Sequence, residues 1–249
     1  EKSILLVPEQ FTSSTEGRIY RELGDAVSGR VESFSFTSLA EKILSTEGGA
    51  AVQTLSDAGR AVLVRRALEE LQDNVHYYHR HRRSAAFCQM AAQTIDELKS
   101  AGLSGRQLAQ LAGACGAESG KLSELALIFQ GYETLLARSG MDPSDRLELA
   151  GARLEEALAR HSLPEFLRDR AVFIDEFDTF NAPKKRLLGA MLAALPSVTV
   201  ALCDDGAPLL PGDLSLFSGA KQVAAQLRQL ARKNGAEVAV PQLLRKDLR

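Results

Sequence analysis

Apolar positions follow two rhythms along the 249-residue chain. Toward both ends they gather in short runs, and through the middle they recur every three or four residues. "SILLV" (3–7), "RVESFSF" (30–36), "AVFID" (171–175), "SVTVALC" (197–203) and "AEVAV" (236–240) are brief and rich in apolar and β-branched residues, which predicts strands. In the second of these, Val31, Ser33 and Ser35 alternate with Glu32, Phe34 and Phe36. Helical stretches separate the strands: "EQFTSSTEGRIYRELG" ending near Gly24, "SLAEKILS" capped by Thr37 or Ser38, "APKKRLLGAMLAAL" and "AKQVAAQLRQLARKNG". From about residue 55 to 162 the pattern is helical throughout. Ala61, Val64, Leu68 and Leu71 form one stripe, and Phe87, Met90, Ala91, Ile95 and Leu98 a second. Leu122, Leu125, Phe129, Tyr132 and Leu136 form a third, and Leu147, Ala150, Leu154 and Leu158 a fourth. Short apolar strands alternating with helices predict a parallel sheet with right-handed crossovers. The central block is too long for a crossover and reads as a helical insertion. The expected architecture is α/β, with a core from residues 1–50 and 165–249 and an inserted helical subdomain at 51–164.

Composition narrows the function classes. The chain is 45% hydrophobic and 25% charged, which is ordinary for a folded domain and unlike a disordered one. A net charge of -2 supplies no global basic field, so any nucleic-acid contact has to come from a local patch or a partner. Cys88, Cys115 and Cys203 are far apart and match no metal spacing, as expected of thiols in a reducing, cytoplasmic setting. No apolar run approaches the roughly 20 residues of a membrane span, so no membrane partner is expected. The chain opens on Glu1 and enters a strand-like run within three residues, the look of a piece cut from a longer protein.

The first chemical signal is "AVFIDEFDTF" (171–180), a buried strand ending in Asp175 and Glu176. In parallel sheets ligands gather at the carboxyl ends of strands. A carboxylate pair there matches the magnesium-binding end of a nucleotidase strand, and it equally matches a helix cap or a solvated turn. No stretch has the phosphate-loop pattern G-x-x-x-x-G-K-[ST]. "GAESGKLS" (116–123) is one residue short between its glycines, has Leu122 where a hydroxyl is needed, and follows no strand. Lys121 therefore reads as a surface lysine at a helix start. No catalytic residue is assigned within this chain, and no cofactor.

A second signal is "NVHYYHRHRRS" (74–84), the most basic and aromatic stretch. Tyr77 and Tyr78 could stack on bases while Arg80, Arg82 and Arg83 take phosphates. The competing reading is a solvated loop between helices. Its histidines lack a nearby acid or cysteine, so no metal site is expected. Lys184, Lys185 and Arg186 open the helix after the acidic strand and read as a solvated face, or as one facing a phosphate or partner.

The order of these parts resembles superfamily 1 helicases of the UvrD type. "SFSFTSLAEKIL" (33–44), "MDPSDRLELA" (141–150), "IDEFDTFN" (174–181) and "ALCDDGAP" (201–208) are similar to that group's ordered motifs. The closer resemblance is to the AddB family, the second subunit of the bacterial AddAB helicase–nuclease. It is carried by "ILLVPEQFTSSTE" (4–16), "VESFSFTSLAEKIL" (31–44), "ELKSAGLS" (97–104), "DPSDRL" (142–147), "VFIDEFDTF" (172–180) and "LFSGAKQVAAQLRQLARKNG" (216–235). The resemblance implies a P-loop NTPase-like core whose phosphate loop lies before the strand at 3–7, so that ATP and magnesium belong to a longer parent protein. It implies an AddA-type motor partner, DNA as substrate, inspection of single strands for a short recombination signal (Chi), and an iron–sulphur nuclease outside this segment. Two positions depart from active helicases. Asp178 stands where they have glutamine, and Lys184 or Lys185 where they have a later one.

The resemblance also implies DNA contacts at two strand ends: Gln10, Phe11 and Thr12 after the first, and Phe34, Ser35, Phe36 and Thr37 after the second. Read from the residues alone, the phenylalanines could be core and the hydroxyls helix caps. Three function classes stay open: a DNA-handling module that binds rather than turns over, part of an active ATP-dependent motor, and a scaffold for a partner motor.

Overall fold

The computed structural model describes residues 2–71, 73–116 and 119–244. Two compact units are present. One comprises Glu1–Gly48, Ala150–Phe180 and Lys184–Arg249, and the other Gly49–Leu149 and Asn181–Pro183.

The first unit is built on a sheet of β1 (Ser3–Leu6), β2 (Val31–Phe34), β3 (Ala171–Ile174) and β4 (Ser197–Val200), in the order β2-β1-β3-β4. Every pairing is parallel. Ser3 lies beside Val31 on one side and Ala171 on the other, and Ala171 beside Ser197. Each central strand buries one face, with Ile4, Leu6 and Val172 at 0% exposure, while Phe173 on the other face of β3 is 43% exposed. β4, at one edge, alternates exposed and half-buried positions. This is the expected α/β class with a parallel sheet. Residues 236–240 are not a strand: Val240 is 88% exposed, and no described strand lies beside the segment to complete a ladder.

Helices α1 (Thr12–Leu23), the single-turn α2 (Asp25–Ser28) and α3 (Phe36–Glu47) follow β1 and β2. The cap of α3 is Ser35, not Thr37 or Ser38. Ser35 keeps an extended backbone, its Oγ accepts the Ser38 amide at 3.1 Å, and its own amide donates to Ser38 Oγ at 2.8 Å. This reciprocal box satisfies two donors that a helix start leaves open, so the helix begins earlier than the hydrophobic pattern indicates.

The second unit is helical. It contains α4 (Asp57–Glu70), α5 (Ala85–Ser100), α6 (Gly105–Ala112), α7 (Ser119–Ser139) and the first part of α8 (Pro143–Ala159), whose remainder belongs to the sheet unit. Ser56, Ser84 and Ser104 cap α4, α5 and α6. The first three stripes read from the sequence meet in one core that includes Val64, Leu68, Ile95, Phe129, Tyr132 and Leu136, whereas the fourth buries Ala150 and Leu154 in the part of α8 that belongs to the sheet unit. Met90, at 56% exposure, and Leu122 stand outside that core. Cys88, Ala91, Ala92 and Ile95 form the inward face of α5 instead. At Gly105 a side chain would stand 2.8 Å from the Gln130 backbone nitrogen, so only glycine lets α6 approach α7 this closely. The sheet unit is completed by α9 (Ala182–Ala194), which begins in the other unit, and α10 (Ser218–Lys233).

Candidate functional site at the strand ends

Parallel strands bring the segments after β1, β2 and β3 to one edge of the sheet. After β1 the chain passes Pro8 into a single 3-10 turn, Glu9–Phe11, and then α1. Gln10 is exposed, Phe11 is 38% exposed, and the Thr12 hydroxyl donates to the Glu9 carbonyl at 2.6 Å. After β2, Ser35 is buried in its capping role and Thr37 is exposed. Phe36 is 3% exposed, so it supports the edge from below. Its ring lies edge-on to Phe177, with centroids 5.2 Å apart, and Phe180 is 6.1 Å away. Phe34, half-buried on β2, lines a separate groove of about 560 Å³ with Glu16, Tyr20 and Ser33.

Lys184 does not lie on a solvated face. Its ammonium sits 5.6 Å from the Phe36 ring centre and 5.2 Å from that of Phe177. Burial pushes its pKa below the ordinary lysine value, while the ring faces attract the cation. Lys185 donates to Gln226 at 2.7 Å, and Arg186 pairs with Glu155 at 2.9 Å. All three members of that basic run are therefore engaged.

The carboxylate pair closes β3. Asp175 donates its amide to the Leu6 carbonyl, tying the strand end to β1, and its Oδ1 accepts the Glu176 amide at 2.8 Å. Glu176 has φ 64°, a left-handed conformation that costs a non-glycine residue about 1–2 kcal/mol. Its carboxylate reaches Arg18 of α1 at 3.6 Å, an exposed pair. No local pattern points to this partner, because Arg18 lies on a helix remote in the chain. Beyond β4, Asp204 and Asp205 accept the Gly206 and Ala207 amides, and Asp205 also meets Lys221 at 2.9 Å. The bond to Lys221 is the first cause holding Asp205 below the usual carboxylate range.

A magnesium nucleotide needs a carboxylate and a cradle of amides with a lysine at a strand-to-helix turn. The described residues supply Asp175, but one of its oxygens is occupied and Glu176 is turned toward Arg18. No such cradle is formed after β1, where the turn carries Glu9, Gln10 and Phe11. The described residues alone therefore do not assemble the full set of groups that a magnesium nucleotide needs. Among the described residues no cluster of three or more His, Cys, Asp or Glu could hold a metal, and no helix is long and apolar enough to cross a membrane. Cys88 is buried, while Cys115 and Cys203 are exposed.

On the helical unit, the basic stretch is a loop with a single 3-10 turn, His79–His81. Tyr77 is 58% exposed, Tyr78 is half-buried, and Arg80 and Arg83 are exposed. Arg82 turns partly inward and donates to His79 Nε2. A residue not read from the sequence holds this loop. Glu124, 7% exposed, accepts the amides of His76 at 2.8 Å, Tyr77 at 2.8 Å and Tyr78 at 3.3 Å. Its spacing of four from Ile128 and eight from Tyr132, both core residues, was the available signal. Lys121 is exposed in the first turn of α7 with no strand before it, and Ala117 and Glu118 of "GAESGKLS" lie outside the described residues.

The chain matches the family described as "ADDB, N-terminal" over residues 1–249. Its curated relatives include the B subunits of several bacterial ATP-dependent helicase/deoxyribonucleases. It is 33% identical to the one from Desulforudis audaxviator (strain MP104C), over 96% of this chain and 20% of that protein. It is 32% identical to the one from Moorella thermoacetica (strain ATCC 39073 / JCM 9320), covering 94% of this chain and 21% of the relative. A third, from Clostridium perfringens (strain 13 / Type A), is 30% identical over 94% of this chain and 20% of its own length. The chain thus spans about a fifth of the length of these curated relatives. With a parallel sheet, an inserted helical unit and a match along its whole length, the chain belongs to the ADDB, N-terminal family.

Proposed function

We propose that this chain is the helicase-like, DNA-handling module of an AddB-type subunit in a bacterial AddAB-type helicase–nuclease. In this reading it serves double-strand break repair and recombination in the cytoplasm, beside an AddA-type motor subunit. It binds and scans single-stranded DNA and leaves ATP-driven translocation to the partner. In this reading the sheet unit, which covers most of the expected 1–50 and 165–249 and also takes in the second part of α8, is its RecA-like core, and the helical unit, which covers most of the expected 51–164, is its inserted subdomain. ATP, magnesium and an iron–sulphur cluster belong, in this reading, to other parts of the parent protein or its complex.

The observation that carries the proposal is the state of Glu176. A motor needs this carboxylate aimed at an attacking water. Here it is turned aside by a left-handed backbone and pairs with Arg18. The exposed Gln10, Phe11 and Thr37 meanwhile stand at strand ends, where ligands of parallel sheets gather. Retention of both Asp175 and Glu176 favours the alternative, a working motor.

ATP turnover in the presence of single-stranded DNA separates the two. Glu176→Gln in the full chain, assembled with its partner, is expected to leave turnover unchanged within about twofold. A fall of roughly 100-fold or more, as expected for loss of a catalytic base, would support the motor instead.

A further inference from the structure

The helical unit carries a groove that the strand-end reading leaves unused. Its volume is about 460 Å³, and Tyr77, Tyr78, His81, Phe87, Met90 and Lys121 line it. That size lies within the roughly 300–1,000 Å³ of small-ligand sites. One wall is a set of near-parallel rings. Tyr78 stacks on Phe87 with centroids 5.4 Å apart at 28°, and His81 lies 5.5 Å from Phe87 at 31°. Tyr77 and Met90 remain more than half exposed.

This wall is held in place. Glu124 grips three successive amides of the loop, including those of both tyrosines. The Tyr77 ring rests against Gly120 of α7, where an added Cβ would stand 3.1 Å from Cε2. The carboxylate that fixes the loop is buried beneath it, while Arg80 and Arg83 stand exposed on the same loop and Lys121 lines the groove. Rings already ordered lose little freedom on binding. A flat apolar face with a lysine in its lining and two exposed arginines on the same loop complements a planar base attached to phosphates, because every base has a stackable face. An apolar side chain from a partner protein would use the groove but not the exposed guanidinium groups of the same loop.

We infer that the groove is a separate contact for single-stranded nucleic acid. One unstacked base lies on Tyr77 beside the Tyr78–Phe87 pair, and Arg80 and Arg83 take the flanking phosphates. The inference rests on the single-strand reading above and adds a site on the helical unit.

The test is photo-crosslinking of the full chain to an oligothymidylate containing 5-iododeoxyuridine, with adducts mapped by mass spectrometry. Affinity is measured in parallel by fluorescence anisotropy. Adducts are expected at Tyr77 or Tyr78. Tyr77→Ala should weaken binding about tenfold, and Tyr77→Phe, which keeps the ring, should stay within about twofold of wild type. Arg80→Ala with Arg83→Ala should lower the slope of log affinity against log salt by roughly 1.4, or about 0.7 per phosphate. The wild-type adduct map requires no variant to fold. Adducts confined to the strand-end residues, with Tyr77→Ala binding like wild type, would overturn this site and leave the broader reading standing. Absence of any salt-dependent strand binding would overturn both. Protection of the groove by a partner protein, with no adduct there, would make it a protein-docking surface and overturn the inference.

Discussion

Carboxylates behave differently in the two units. In the helical unit Asp142 is 1% exposed, and its oxygens are matched by the Tyr132 hydroxyl at 2.6 Å and the Lys99 ammonium at 2.8 Å. Lys99 also pairs with Asp145 at 2.6 Å. Burial, then the bond to Asp142, raises the Tyr132 pKa, so the phenol stays protonated as a donor. Glu124 is likewise saturated, by three amides. At the sheet edge, Glu176 has one long contact to an exposed arginine and a strained backbone. A buried carboxylate with every oxygen matched holds structure. An exposed one in a costly conformation contributes little to stability, and its geometry calls for a functional account. Two of the segments that carry the family resemblance, at 97–104 and 142–147, meet in the Lys99–Asp142–Asp145 network.

Substitutions sharpen or break this contrast. The largest effect is expected for Asp142→Ala, which leaves Lys99 facing a buried void and Tyr132 unpaired. It should cost about 3–5 kcal/mol in a denaturant melt; a loss under about 1 kcal/mol would erase the contrast. Glu124→Gln should cost about 2 kcal/mol, since its amide group presents donors toward donors. Hydrogen exchange at the amides of His76, Tyr77 and Tyr78 should accelerate with it, and unchanged exchange there would show that the loop is held by other contacts.

At the sheet edge the sign should reverse. Glu176→Gly relieves about 1–2 kcal/mol of left-handed strain against about 0.5–1 kcal/mol of added chain entropy. The lost surface pair is worth little. A net gain of about 0.5 kcal/mol is expected by thermal melting, and a clear loss would mean that the Arg18 contact is structural. The smallest effect concerns Glu133 of α7. Burial holds its carboxyl above the usual range, although the Gly105 amide opposes the shift. With the folded value raised, its contribution to stability is complete below the unfolded carboxylate range and is lost as pH rises through the folded value. Glu133→Gln should therefore gain stability relative to wild type as pH increases from acid to neutral. Parallel pH profiles for the two proteins would contradict this.

Much of the architecture was legible because burial is periodic. β1 and β3 were evident from the short apolar runs "ILL" and "VFI", although in the fold they alternate buried positions with half-buried or exposed ones. "AEVAV" is similarly rich in apolar residues but has no neighbouring strand among the described residues, and a ladder needs a partner that a local window cannot supply. The α3 boundary moved because Ser35 and Ser38 cap each other, a local signal outweighed by hydrophobic pattern. Asp175 and Glu176 were legible as a strand-end pair, whereas their partners were not. Arg18, and Phe36 under Lys184, come from segments distant in sequence. Tertiary pairing of charges leaves no periodic trace.

The most direct test is hydrogen exchange of the full chain with and without a single-stranded oligonucleotide. The account predicts slowed exchange at residues 8–12 and 35–38, fading as salt rises, because phosphate contacts release counterions. Unchanged exchange at both segments with saturating oligonucleotide would contradict the assignment of this edge to single-stranded DNA.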